Sequence, residues 1–377
     1  MNKLLKLFSV KRVRVYEAQL RHGINGLIDR MYFKEHGGVG KEKRKIIFHS
    51  TVWGSDFLHS FLSYTVPSLL QEGNIPTLAR YGYELRLFIY THPQEYEEIA
   101  VQYETCLARL REYVTVSVIP LDGLKAGWWR DDYWHYVTSA LIDQINRCIA
   151  EDAMMFDTRP DTIYGNRSIT NAVDIVKGKN VCLAASHPRV SKESILQSGV
   201  FAGLRSMEKS FENDELVDLA FKHGHQSLLD SFDNEDSNVT YYGLSIRKIY
   251  DSMYTVIYNL PMVWLCNFVI DDLNYFESPG PYWDDRWDHR WPRLLLRQNR
   301  LKVTGSSDLF FCVDLTADDD RQMVKKKGFL NNDKFQARSS RYLNNYVFNS
   351  FSSVWRGRGD RPKSVPGDWH SSQEAVN

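Results

Sequence analysis

The strongest constraint on the fold of this chain is a regular alternation of short apolar runs with amphipathic segments. Apolar, β-branched runs typical of buried strands occupy 45–53, 85–92, 114–121, 153–157 and 179–186. Between them, apolar residues recur three and four positions apart, as on one face of a helix, at 57–70, 95–112, 133–150 and 168–176. Strands separated by helices of this length predict an α/β fold, with a mainly parallel sheet and helices on both faces.

The pattern changes after about Ser191. A helical stretch at 191–230 leads into aromatic, less regular sequence, with a further strand at Leu309–Val313. We therefore predict four regions: a basic N-terminal arm (1–44), an α/β half (45–190), an aromatic-rich C-terminal half packed on the same sheet (191–355) and a flexible tail (356–377).

Charge is balanced overall, with 47 Lys and Arg residues against 47 Asp and Glu residues. A neutral chain has no global field to hold nucleic acid, so no nucleic-acid partner is expected. Residues 1–45 carry twelve basic residues against four acidic ones, a net charge of +8. Such an arm is typical of a solvated segment, or alternatively of weak contact with a membrane surface.

No run approaches the roughly 18 apolar residues that a membrane helix needs, so no transmembrane segment is predicted. The five cysteines are scattered and show no CxxC spacing. This usage is typical of a reduced protein and predicts a cytoplasmic location.

Polar side chains follow the predicted strands at the points where the strands end. In parallel sheets ligands bind at the carboxyl ends of the strands, where loop amides and helix N-termini converge. The candidate residues there are Thr51, Trp53, Gly54, Thr91, Asp157, Arg159, Asp161, His187 and Arg189. No GxGxxG or GxxxxGK[ST] motif is present, which argues against a Rossmann dinucleotide site and a P-loop.

Four segments carry a resemblance to a known family: FHSTVWG (48–54), LFIYTHP (87–93), FDTRPDTIYGNRSI (156–169) and SHPRV (186–190). They resemble nucleotide-sugar glycosyltransferases of the GT-A architecture, and more narrowly the glycosyltransferase-like proteins of bacteria and their phages. The resemblance covers roughly residues 45–315. It implies that 45–190 binds a nucleotide-sugar donor and that 191–355 supplies the acceptor side.

In GT-A enzymes a DxD motif at the end of a central strand carries a divalent metal, and the resemblance puts Asp157 and Asp161 on this motif. Here the carboxylates are separated by Thr-Arg-Pro rather than by one residue. Either both reach one Mg²⁺ or Mn²⁺, or Arg159 replaces the metal as the counter-charge of the diphosphate. A third interpretation is that both are ordinary turn residues.

The acceptor side contains the segment PYWDDRWDHRWP (281–292), rich in Trp, Asp and His. Trp283 and Trp287 are candidates for stacking on a sugar ring, although their spacing of four also suits a helical packing stripe. Candidate general bases for the acceptor hydroxyl are Asp288 and His289, followed by Asp271 and Asp272.

These features together predict a glycosyltransferase that moves a sugar from a nucleotide-diphosphate donor to an unidentified glycan or other hydroxyl-bearing acceptor. The alternative is a non-catalytic glycan- or partner-binding protein on the same fold, such as a phage structural component.

Overall fold

The computed structural model describes residues 40, 42–124, 134–229, 244–250, 253–258, 262–277, 287, 290–318 and 351–358. Most of the N-terminal arm and the tail beyond Arg358 lie outside the described residues. The strands are β1 (Lys45–Thr51), β2 (Glu84–Thr91), β3 (Thr115–Pro120), β4 (Met154–Asp157), β5 (Thr162–Tyr164), β6 (Cys182–Ala185), β7 (Arg189–Ser191), β8 (Leu244–Tyr250), β9 (Met253–Tyr258), β10 (Met262–Cys266), β11 (Leu301–Val303), β12 (Cys312–Thr316) and β13 (Phe351–Arg356). The α-helices are α1 (Ser55–Ser60), α2 (Val66–Leu69), α3 (Ile75–Arg80), α4 (Pro93–Ala100), α5 (Glu104–Arg111), α6 (Trp134–Ala150), α7 (Ser168–Val176), α8 (Lys192–Gln197), α9 (Ala202–Arg205), α10 (Asn213–Lys222), α11 (Gln226–Leu229), α12 (Ile270–Glu277) and α13 (Trp291–Arg297).

Seven strands form the central sheet, in the order β11-β6-β10-β4-β1-β2-β3. β1 pairs in parallel with β2 and β4, β2 with β3, and β6 with β11. β10 runs antiparallel between β4 and β6. The predicted α/β class with a mainly parallel sheet is therefore confirmed. β10 itself was not predicted, and both β10 and β11 come from the C-terminal half of the chain.

Apolar side chains pack on both faces of this sheet. Because successive residues of a strand point to opposite faces, Ile46 and Phe48 join one buried cluster and Ile47 joins the other. The first cluster includes side chains of α1, α2, α3, α5 and α7, and the second includes side chains of α6, α12 and α13. Helices thus cover both faces, as predicted.

The segment after β1 is helical from Ser55 to Leu69, with a π-helical turn at Phe61–Thr65 between α1 and α2. The sequence predicts that one helix ends and another begins at Pro67. In the structure Pro67 lies in the first turn of α2, where a missing N–H is tolerated. Thr65, the last residue of the π turn, is buried and donates from Oγ1 to the backbone oxygens of Arg159 and Pro160, at 3.3 and 3.1 Å. This helical segment therefore fixes the loop that follows β4.

Two small sheets flank the central one, with strand orders β5-β12-β7 and β13-β9-β8. β12 pairs antiparallel with β5 and parallel with β7. The strand predicted at Leu309–Val313 lies at Cys312–Thr316 instead, and the predicted helical stretch at 191–230 is divided among four separate helices. No helix in the described ranges is long and apolar enough to cross a membrane.

Candidate functional site

A cluster of charged side chains lies where the central sheet meets the β5-β12-β7 sheet. β4 ends at Asp157 and the chain enters β5 at Thr162, whereas β6 ends at Ala185 and the chain enters β7 at Arg189. β12 lies between β5 and β7, and its Asp314 is in register with Thr162 on one side and Arg189 on the other. The loops after two central strands are therefore brought to one acidic residue from a remote part of the chain.

Asp314 has both carboxylate oxygens engaged. Oδ1 accepts a hydrogen bond from Thr162 Oγ1 at 2.6 Å, and Oδ2 lies 2.7 Å from His187 Nε2. Burial by itself would raise the pKa of Asp314, but the charge that His187 carries when protonated and its hydrogen bond, helped by Arg159 and Thr162, outweigh burial and hold the pKa below its usual value. Asp314 is therefore a fixed anion at the centre of the cluster. Sequence reasoning missed it, although a lone acidic residue in the apolar run FFCVDL was a usable signal.

Asp161 is the neighbouring acid, and its protonation differs from that of Asp314. Its backbone oxygen accepts a hydrogen bond from the Leu315 amide at 2.8 Å. Burial, followed by the negative charge of Asp314, raises the pKa of Asp161 to about 7, against the opposing pull of Arg159 and Arg189. Two adjacent carboxyl groups with separated pKa values are a recurrent arrangement for acid–base chemistry. Asp161 can exchange a proton near neutral pH while Asp314 stays ionised.

Trp264, in β10, holds two members of the cluster. The Arg159 guanidinium lies 5.5 Å from the centroid of the Trp264 ring, and the His187 ring packs edge-on against it at 5.1 Å. The indole is fully buried and donates from Nε1 to the Ala185 oxygen at 3.2 Å. Arg159 Nε also lies 3.7 Å from Asp157 Oδ2. Trp264 was missed at the sequence level because its strand was not predicted.

Buried polar atoms without partners occur at the ends of three central strands. They are His49 Nδ1, Ser50 Oγ, Thr91 Oγ1 and Ser186 Oγ, none of which has a hydrogen-bond partner among the described residues. An unsatisfied buried polar group costs about 1–3 kcal/mol, so such atoms mark positions for water or a ligand. Burial lowers the pKa of His49 to about 3, with Asp143 opposing the shift, so this imidazole is neutral. Thr51, at the end of β1, places Oγ1 3.1 Å from His49 Nε2.

Gly54 is one of the residues expected to bind the donor, but in the structure its backbone amide already has a partner. Gly54 has a φ of 83° and donates its amide to Glu95 Oε2 at 3.2 Å. A phosphate at this position would have to displace a carboxylate. Trp53 is half-buried and packs against the second apolar cluster.

Three predicted residues of the C-terminal half lie in the described ranges, and the structure corrects the expectations for two of them. Asp272 is 1% exposed and forms an ion pair with Arg300, with Nη2 2.8 Å from Oδ2, so its carboxylate is not available as a general base. Trp287 is 8% exposed and stacks on Trp291 at 4.9 Å, as the helical-stripe interpretation expects, so its faces are not free for a sugar. Asp271 is half-buried in α12. Asp288, His289 and Trp283 lie outside the described residues.

The donor set does not suit a divalent metal as it is arranged. Asp157 faces a cationic guanidinium, and both oxygens of Asp314 are already engaged by Thr162 and His187. Within the part of the chain that the structure describes, no group of three or more His, Cys, Asp or Glu residues is placed to hold a metal ion. Metal dependence stays a prediction.

No protein-family model matches the chain, and no curated protein matches it. Among solved structures, the apo form of mouse xyloside xylosyltransferase 1 is similar, at 14% sequence identity and a TM-score of 0.26. The match covers 41% of this chain and 58% of that chain.

Proposed function

We propose that this protein is a glycosyltransferase that moves a sugar from a nucleoside-diphosphate donor to a hydroxyl-bearing acceptor. The observation that carries the proposal is the pairing of a positioned cation with acid–base groups at the carboxyl edge of a parallel sheet. Arg159 is held between Asp157 and Trp264, and Asp161 is subject to the fields of Arg159 and Arg189. Ligands of open α/β sheets bind at this edge.

The donor diphosphate would lie against Arg159 and Arg189. A guanidinium binds phosphate oxygens in a bidentate manner and neutralises the charge that develops on a departing diphosphate. The unpartnered hydroxyls of Ser50 and Thr91, with Thr51 and Trp53 beside them, offer hydrogen bonds and an apolar face to the nucleoside.

The acceptor would approach from the C-terminal half. Trp283, Asp288 and His289 remain the predicted acceptor-side residues, whereas Asp272 and Trp287 serve the core in our proposal.

The experiment compares the wild type with Arg159→Gln and with Arg80→Gln, an arginine whose exposed side chain pairs with Glu72 away from the sheet edge. Thermal stabilisation is measured with UDP-, GDP-, CDP- and TDP-sugars, with and without Mn²⁺, and donors that bind are then tested for transfer. We expect at least one donor to stabilise the wild type and Arg80→Gln, but not Arg159→Gln. Stabilisation only with Mn²⁺ would support the metal-dependent alternative.

Silence across the whole panel would contradict the proposal. Binding of a sugar nucleotide or a glycan without any turnover would favour the other candidate function, a non-catalytic binding protein on the same fold.

A further inference from the structure

His187 has one ring nitrogen engaged and one without a partner. Nε2 lies 2.7 Å from Asp314 Oδ2, and Nδ1 is buried without a hydrogen-bond partner among the described residues. The ring is also packed edge-on against Trp264, at a centroid distance of 5.1 Å. The imidazole is therefore oriented by two contacts while one of its polar atoms is left for something else.

The contact with Asp314 decides which nitrogen carries the proton. An ionised carboxylate only accepts hydrogen bonds, so Nε2 must be the N–H donor. In the neutral ring Nδ1 then presents its lone pair. Asp314 cannot rotate away easily, because Thr162 holds its other oxygen at 2.6 Å. The same logic of a carboxylate that fixes the tautomer of a histidine underlies catalytic triads.

We propose that His187 is the general base of the transfer reaction, with Nδ1 as the accepting atom and Asp314 as the positioning residue. This assignment rests on the proposed function. Nδ1 takes the proton of the acceptor hydroxyl while the hydroxyl oxygen bonds to the anomeric carbon of the sugar. The bond from that carbon to the phosphate oxygen breaks, and its electron pair leaves with the nucleoside diphosphate beside Arg159.

This single displacement determines the stereochemistry of the product. The attacking oxygen enters opposite the leaving group, so the configuration at the anomeric carbon is inverted.

The first test uses the free, full-length protein labelled with ¹⁵N-histidine. The His187 signals are assigned by their loss in His187→Gln. We expect the neutral ring of the wild type to carry its proton on Nε2, and we expect Asp314→Asn to lose this preference. A wild-type ring protonated on Nδ1 would overturn the assignment whether or not a donor is known.

The second test measures turnover with whichever sugar nucleotide the panel identifies. We expect His187→Gln to lower kcat roughly 100-fold or more, with little change in donor binding. His59→Gln is the matched control, since that ring bonds Tyr103 elsewhere. Added imidazole should partly restore the turnover of His187→Gly. The product should show inversion.

The outcomes separate the two proposals. If the wild type transfers no sugar, the proposed function fails and the base assignment fails with it. The base assignment alone is wrong if the wild type is active and any one of three results is found, and the proposed function then survives. These results are an unchanged kcat in His187→Gln, a product that retains its configuration, or loss of turnover in His289→Gln alone.

Discussion

Arg300 and Asp272 form a doubly hydrogen-bonded ion pair in the protein interior, with Nη2 2.8 Å from Oδ2 and Nη1 3.0 Å from Oδ1. Their side chains are 0% and 1% exposed. Trp291 Nε1 also donates to Asp272 Oδ1 at 2.9 Å, and the Asn267 oxygen accepts from Arg300 Nη2 at 2.7 Å. The pair ties α12 and α13 to the residue that precedes β11.

Asp272→Ala should therefore destabilise the fold strongly. It leaves the buried guanidinium of Arg300 without its anion, which typically costs about 3–5 kcal/mol. Urea unfolding measures the loss, and Asp271→Ala, the neighbouring substitution in the same helix, should cost much less. An Asp272→Ala protein as stable as the wild type but unable to transfer sugar would restore Asp272 as a candidate base.

Trp287→Ala should also act on stability rather than on sugar binding. The indole stacks on Trp291 with an interplanar angle of 15°, and its ring centroid lies 5.8 Å from that of Phe276. Removal of a buried aromatic ring of this size costs about 3–5 kcal/mol. Urea unfolding should show the loss, and Trp287→Phe should recover much of it. Weaker glycan binding by Trp287→Phe, at unchanged stability, would instead support an acceptor-binding role.

Local periodicity was sufficient to predict the central parallel strands. β1, β2 and β4 are apolar runs next to helices whose faces are visible in sequence, so each element is specified by its own residues. β10 differs, because a five-residue apolar run is compatible with many structures. It becomes a strand through pairing with β4 and β6, which lie far away in the sequence.

The site residues likewise divide into those specified by local sequence and those positioned by the pairing of distant strands. Asp157, Asp161 and His187 follow strand ends, and the general rule for α/β sheets was enough to select them. Asp314 and Trp264 lie inside apolar strands, where a single polar or aromatic residue gives no indication of its neighbours. Their positions depend on which strands pair, and periodicity contains no information about pairing.

Gly165→Ala should destabilise the connection between β5 and α7. An added Cβ would lie 1.8 Å from Asn213 Oδ1, and Asn213 cannot move freely because it also bonds Ser168 Oγ at 2.7 Å and the Ser307 oxygen at 2.8 Å. Overpacking of this kind costs typically about 1–3 kcal/mol. Gly305→Ala is the matched control, with no atom within 4 Å of the added Cβ. Equal urea midpoints for the two variants would contradict the close approach.

The elevated pKa of Asp161, about 7 against 3.8 for an ordinary aspartate, predicts a specific pH dependence of stability. Between these two values the folded protein binds more protons than the unfolded chain, so the free energy of unfolding falls as the pH rises through this interval. Asp161→Asn stays neutral and should escape this loss. Relative to the variant, the wild type should lose roughly 2–4 kcal/mol between about pH 4 and pH 8.

Urea unfolding of the wild type and Asp161→Asn at a series of pH values measures this difference directly. Asp56→Asn, at an exposed position in α1, is the control and should give a curve parallel to that of the wild type. Asp314 acts in the opposite sense. Folding lowers its pKa, so the stability that it contributes is lost only as the pH falls below the ordinary aspartate range. Parallel curves for the wild type and Asp161→Asn would show that Asp161 ionises normally, and would remove it as a proton-exchanging group of the cluster. If Asp161→Asn is more stable than the wild type at high pH and also fails to transfer sugar, the chain retains this carboxyl for chemistry at a cost to the stability of its fold.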